Sequence, residues 1–120
     1  VGDEPKAQVA FSADGGVSFG EPIRFDEGRP LGRVDVLWLE NGSALVMWLE
    51  RRPRSGEILV REVWPDGRIG GEAVVTTTSA GGDSGFPRMI LDGMGRVVFA
   101  LTQTGNLRRV RVVRTSEPVQ

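Results

Sequence analysis

Apolar residues in this chain come in nine short runs, and every gap between runs contains glycine. The runs span residues 6–12, 21–25, 33–40, 43–51, 57–64, 72–78, 87–92, 96–103 and 107–114, and they are rich in Val, Leu, Ile and Trp. None sustains the three-to-four-residue recurrence of an amphipathic helix, so each predicts a β-strand. The gaps carry Asn41-Gly42, Arg54-Ser55-Gly56, Asp66-Gly67, Gly93-Met94-Gly95 and Thr104-Gly105-Asn106. Gly and Asn accept positive φ cheaply, which suits tight hairpins. The expected fold class is all-β, built of antiparallel meanders.

A repeat relates two parts of the chain. Gly32 aligns with Gly85 and Gly42 with Gly95, since 85 − 32 and 95 − 42 are both 53, and the strands ALVMWL and VVFALT coincide. A repeat of this order made of four short strands is the signature of a β-propeller blade. Strand character within one repeat agrees. VDVLWLE and ALVMWLE are apolar on both faces, EILVREV alternates, and EAVVTTT ends polar. Burial that falls outward in this way fits a sheet stacked between neighbours, with inner strands covered twice and the last strand at an edge. An immunoglobulin-type sandwich would alternate in every strand, and the chain has neither Cys nor Tyr.

Ser12–Phe19 reads SADGGVSF. It resembles the Asp-box, S-x-D-x-G-x-x-[W/F], of sialidase-type propellers, also called the bacterial neuraminidase repeat. Ser12, Asp14, Gly16 and Phe19 match. Asp14 is expected to accept backbone N–H bonds of the turn, Gly16 to supply a conformation a Cβ would forbid, and Phe19 to fold back over the hairpin's apolar side. In the family this loop lies away from the active-site end, so a structural role is expected. A single carboxylate before Glu21 does not make an EF-hand-type Ca²⁺ ladder. WPDGRIG, residues 64–70, reads as a degenerate copy that keeps Asp66 and Gly67. The resemblance divides residues 1–120 into the end of one blade with its box (about 1–28), a complete blade (32–78) and three strands of a further blade (85–114). Such a partial propeller leaves apolar blade faces bare. A few hundred Å² of them costs several kcal/mol at about 25 cal/mol per Å². The rest of a longer propeller chain or a homo-oligomer is expected to cover them, and Val1, which is not an initiating methionine, fits a start inside a longer polypeptide.

Chemistry is harder to place. As the resemblance implies, sialidases grip a substrate carboxylate with three arginines and use a Tyr–Glu nucleophile and an Asp acid–base. Without Tyr this chain cannot hold that nucleophile, so no catalytic residue is assigned. Arg33 in LGRVDV and Arg88 in GFPRMI stand near the starts of inner strands, where a guanidinium could hold an acidic glycan bidentately. Pairing of Arg33 or Arg88 with Asp35, or an interblade hydrogen bond, is the structural alternative. Trp64, beside a turn, is a candidate sugar platform, whereas Trp38 and Trp48, inside unbroken apolar strands, are expected in the core. The substrate-binding candidates are thus Arg33, Asp35, Arg88 and Trp64.

Charge is uneven although the net value is −1. Residues 1–30 hold six acids against three bases, while residues 86–116 hold six arginines against Asp92 alone. The run NLRRVRVVR lacks an interleaved aromatic to stack bases, so it reads as a solvated strand face or subunit contact, with no nucleic-acid partner. No apolar run approaches the ~20 residues of a spanning helix, and residues 1–5 lack a signal-peptide layout, so no membrane partner is expected. Adjacent acids such as Asp26 and Glu27 point apart on a strand and do not form a two-carboxylate glycosidase site. No cofactor or metal is called for, and only the resemblance favours a secreted or periplasmic location. The expected function is a sialidase-like segment acting as scaffold or glycan-contacting module. The alternatives are part of an exo-sialidase site completed by missing sequence or other subunits, and a small self-associating interaction module.

Overall fold

A computed structural model describes residues 5–78, 87–103 and 109–114, with backbone alone for 78, 101–103 and 109–114. The apolar runs become β1 (Gln8–Val9), β2 (Ile23–Arg24), β3 (Pro30–Trp38), β4 (Ala44–Arg51), β5 (Gly56–Val63), β6 (Ala73–Thr78), β7 (Arg88–Leu91), β8 (Val97–Gln103) and β9 (Arg109–Arg114). Among the described residues there is no helix. The strands form three antiparallel sheets of two, four and three strands, ordered β1-β2, β3-β4-β5-β6 and β7-β8-β9, and none closes on itself.

Three hairpins reuse one turn. The N–H of Leu39, Trp64 and Asp92 donates to the carbonyl of Ser43, Arg68 and Arg96 at 2.9, 2.9 and 2.8 Å. In each the fourth residue, Gly42, Gly67 or Gly95, takes positive φ and closes the turn with its own N–H. A side chain there would meet its own backbone, which is why glycine recurs at this place. The 104–106 turn lies outside the described residues.

β4 is the centre of the molecule, because seven of its eight residues are buried. On one face Leu45, Met47 and Leu49 pack with Leu39 and Ile58 against Met89, Val97 and Phe99 of the three-stranded sheet. On the other, Val46, Trp48, Leu59 and Val63 pack against Ala7 and Phe25, flanking the two-stranded sheet, with Phe25 edge-on to Trp48 at 5.2 Å. Each such aliphatic or Phe side chain contributes roughly 1.5–3 kcal/mol when taken out of water. The middle sheet is therefore sandwiched between the other two at β4 and β5.

β3 departs from expectation. Its register slips twice, between Pro30 and Gly32 and between Gly32 and Asp35, around positive φ at Gly32 and Arg33. Beyond the bulge, Val36 lies opposite Val46 and Trp38 opposite Ala44, so this pair shares the face that carries Val46. Yet Val34, Val36 and Trp38 are 51%, 50% and 62% exposed. Trp38 is thus a surface residue, and its expected place in the core is corrected. The reason is geometric: the two-stranded sheet packs over β4 and β5, and no described strand lies over this face of β3.

Charged side chains tie the layers together. Glu50 is buried, and its carboxylate accepts from the Trp48 indole at 2.7 Å and from the backbone N–H of Glu27 and Arg29 at 3.0 and 2.5 Å. Buried Arg61 donates to the Phe25 carbonyl at 2.9 Å, pairs with Glu27 at 3.1 Å and Glu72 at 2.9 Å, and lies over the Trp48 ring. The Glu27 carboxyl beside it, together with partial burial, raises the Glu72 pKa above its ordinary value although Arg61 opposes this. Asp26 holds the Ala7 N–H at 2.8 Å. Burial alone would raise the Asp26 pKa, but the bonds from Arg24, Ala7 and Gly28 outweigh it and lower it.

Candidate functional site

The Ser12–Phe19 loop is a turn organised about one carboxylate. Ser12 Oγ donates to Asp14 Oδ1 at 2.8 Å and accepts the Gly16 N–H at 2.8 Å. Asp14 Oδ1 also accepts the Ser18 N–H at 2.9 Å, and Oδ2 takes the Ser18 hydroxyl. Gly15 and Gly16 both have positive φ, and the Gly20 N–H closes the loop on the Phe11 carbonyl at 2.9 Å. The Ser18 hydroxyl, then the Ser18 N–H and Ser12, hold the Asp14 pKa down to about 2. Its lone pairs are engaged within the loop, so the carboxylate serves the turn. Ser18, an unspecified position of the motif, bonds Asp14 through both backbone and hydroxyl. The SxDxGxxF pattern did not reveal it.

The same device recurs in two other turns. Asp66 accepts the Arg68 N–H at 3.0 Å and the Arg68 guanidinium at 2.9 Å. Asp92 accepts from Met94 N, Arg96 N and Arg96 Nε at 2.8, 2.9 and 3.0 Å. These bonds, led by the backbone N–H of Arg68 or Arg96, lower both carboxyl pKa values despite slight desolvation.

Phe19 does not seal its hairpin. It is 62% exposed and stands with Phe11 and Trp38 over two adjoining grooves, a correction to the covering role expected of it. Phe11 and Trp38 meet at 5.6 Å between ring centres, tilted by 56°. The larger groove, about 560 Å³, runs from this aromatic ridge past Glu21 to the Pro65–Gly67 turn. The smaller, about 360 Å³, lies between the ridge, Val9 and Ala10 on one side and Val36 on the other. An open trough with aromatic walls and a polar lip can take a sugar ring or an extended peptide.

Arg33, Asp35, Arg88 and Trp64 do not line either groove. Asp35 and Arg88 come together across the two larger sheets, with Arg88 Nε 3.8 Å from Asp35 Oδ2. The same oxygen accepts the Met89 N–H at 2.9 Å, and Asp35 Oδ1 accepts its neighbour's Val36 N–H. Asp35 thus anchors β7 to β3, the structural alternative weighed for this pair. Arg33 sits half-buried in the β3 bulge. Trp64 carries the Arg68 guanidinium 4.8 Å from its ring centre, so one face is already covered. Among the described residues no three acids gather as a metal site.

Trp38, like Phe19, stands where the sequence did not place it. Its neighbours in VDVLWLE are as apolar as those of Trp48, and only the reach of the layer above distinguishes the two. No protein-family model, curated protein or solved structure matches this chain. The likeness of Ser12–Phe19 to the sialidase-type box therefore rests on those residues themselves.

Proposed function

We propose that the chain is a sialidase-like propeller segment that works as a scaffold and does not turn over a glycoside by itself. The observation that carries this reading is the two-sided burial of β4, combined with the use of Glu50, Arg61 and Asp35 as ties between layers. Side chains spent on holding sheets together are not free to grip a substrate. Arg88, the best candidate for a substrate carboxylate, faces Asp35 at a distance that already gives it a partner. Incubation with a fluorogenic sialoside is the direct test. No release above background is expected, and turnover that copurifies with the chain overturns the reading.

A second reading, contact with a glycan, is favoured by the larger groove. Phe11, Phe19 and Trp38 offer ring faces, and Ser12, Ser18, Glu21 and Asp66 offer polar atoms along the lip. Glu21 at that lip repels an anionic sugar, while the Asp66 charge is offset by Arg68, so a neutral pyranose suits this groove better than the acidic glycan considered for Arg33 and Arg88. Titration with neutral and sialylated oligosaccharides, followed by tryptophan fluorescence, distinguishes them. Binding of the neutral sugar lost in Trp38→Ala and kept in Trp64→Ala supports the groove. Loss in Trp64→Ala alone would return the site to the 64–68 turn.

A further inference from the structure

The hairpin turns that share one design differ in a single chemical respect. Asn41, Asp66 and Met94 stand at the same place, each followed by the glycine whose N–H closes the turn on the carbonyl of Leu39, Trp64 or Asp92. A backbone nitrogen beside a side-chain carbonyl can attack it and close an imide ring, and glycine, with no side chain, hinders this least. The Asp66 carboxylate, ionised beside Arg68, is a poor target without a leaving group, and Met94 has no carbonyl in its side chain. Asn41 carries an amide, whose nitrogen can leave as ammonia. It is exposed, and the space that a side chain at Gly42 would fill is empty.

The folded turn holds the reacting atoms in other bonds. The Gly42 N–H is engaged by the Leu39 carbonyl at 3.0 Å. Asn41 Oδ1 accepts the Ser43 N–H at 3.0 Å and the Ser43 hydroxyl at 2.7 Å, and Nδ2 donates to Glu62 Oε2 at 2.9 Å. Ser43 is fully buried, and its hydroxyl also reaches Glu62. For attack, Gly42 N must lose its proton and Asn41 Cγ must turn toward it, and both movements break these bonds. We propose that Asn41 is a deamidation site gated by the β3–β4 turn, protected while the turn is closed and converted one way to Asp or isoaspartate when it opens. In the reaction Gly42 N gives its proton to solvent base and bonds to Asn41 Cγ. The Cγ–Nδ2 bond breaks, and ammonia leaves with a proton taken from water. Water then opens the imide at either carbonyl. In the Asp product an oxygen replaces the Nδ2 donor opposite Glu62 Oε2, so two carboxylates face each other with one Ser43 proton to share. In the isoaspartate product the main chain is longer by a methylene within the turn. Neither product rebuilds the closed turn as it was. This chemistry is independent of the scaffold and glycan readings.

Peptide mapping by mass spectrometry of residues 1–120, kept in mildly alkaline buffer with and without denaturant, tests it. The folded chain is expected to convert at position 41 at least about tenfold more slowly than the unfolded chain, because only the open fraction reacts. Ser43→Ala and Glu62→Ala each release one hold on the amide. Each is expected to speed conversion in buffer several-fold and to change nothing in denaturant, with a circular dichroism spectrum like the parent's. Should Ser43→Ala misfold, Glu62→Ala decides. Asn41→Asp, which carries the product's charge, is expected to melt a few degrees below the parent, and adding Glu62→Gln to recover most of that loss by returning a donor to the pair. Equal rates in the folded and unfolded chain, variants that convert no faster than the parent, or an Asn41→Asp chain as stable as the parent overturns the inference.

Discussion

Trp48 and Trp38 occupy neighbouring strands of one sheet, each flanked by aliphatic residues, and they end in opposite environments. Trp48 is fully buried, edge-on to Phe25, with its indole N–H on Glu50. Trp38 stands in solvent at the mouth of two grooves. Apolar sequence made both strands eligible for burial. Coverage by another layer decided which was buried, and the two-stranded sheet reaches β4 but not β3. The surface left over by that shortfall holds the exposed aromatic ridge of Phe11, Phe19 and Trp38.

The largest effect that can break this contrast is truncation of the two indoles. Trp48→Ala is expected to lower unfolding free energy by about 3–5 kcal/mol, through lost burial and the loss of one of the three hydrogen bonds to the Glu50 carboxylate. Trp38→Ala should stay within about 0.5 kcal/mol of the parent. Paired denaturant titrations measure both, and similar losses would mean that β3 is covered in solution. The next effect sharpens the account of the covered side. Glu50→Ala removes the acceptor shared by three N–H groups and is expected to cost about 1–3 kcal/mol, with Glu50→Gln milder because one carbonyl oxygen remains. If the two substitutions proved equally harmless, the layers would have to be held by apolar contact alone.

A smaller effect belongs to the exposed side. Asp14→Asn is expected to lower the melting temperature by a few degrees at neutral pH and to lose that effect as pH falls below about 2. The Asp14 carboxyl titrates below its ordinary value in the folded loop, so its contribution is present above about pH 4 and is lost as pH falls through about 2. The smallest has the opposite sign. The Glu72 carboxyl is raised by its bond with Glu27, so the folded state holds that proton more tightly. Its contribution declines as pH rises through the folded pKa and recovers toward the ordinary carboxylate range. In Glu72→Gln this slope should be absent from the stability profile between weak acid and neutrality, while the Asp14 slope below it persists.

Much of the secondary structure was legible in the residues. Each apolar run holds a strand, with ends displaced by a few residues, and the glycines of Asn41-Gly42, Asp66-Gly67 and Gly93–Gly95 mark true turns. The box loop was legible because the bonds made by its Ser12 and Asp14 side chains join residues at most four apart, within reach of a local pattern. Glu50 and Arg61 were not, because their partners lie up to 23 and 36 residues away and nothing local announces them. The Asp35–Arg88 pairing was weighed from sequence as the structural alternative, because polar groups on inner strands need partners, but no local pattern fixed which arginine meets Asp35.

The alternation of aliphatic runs with glycine turns determined by itself that this chain makes short antiparallel strands, since backbone sterics and side-chain period are local properties. Which side of each strand is dry, and hence whether an indole or a carboxylate becomes structure or surface, was decided by the stacking of the three sheets. Burial depends on what lies about 10 Å above a strand, and that neighbour comes from elsewhere in the chain.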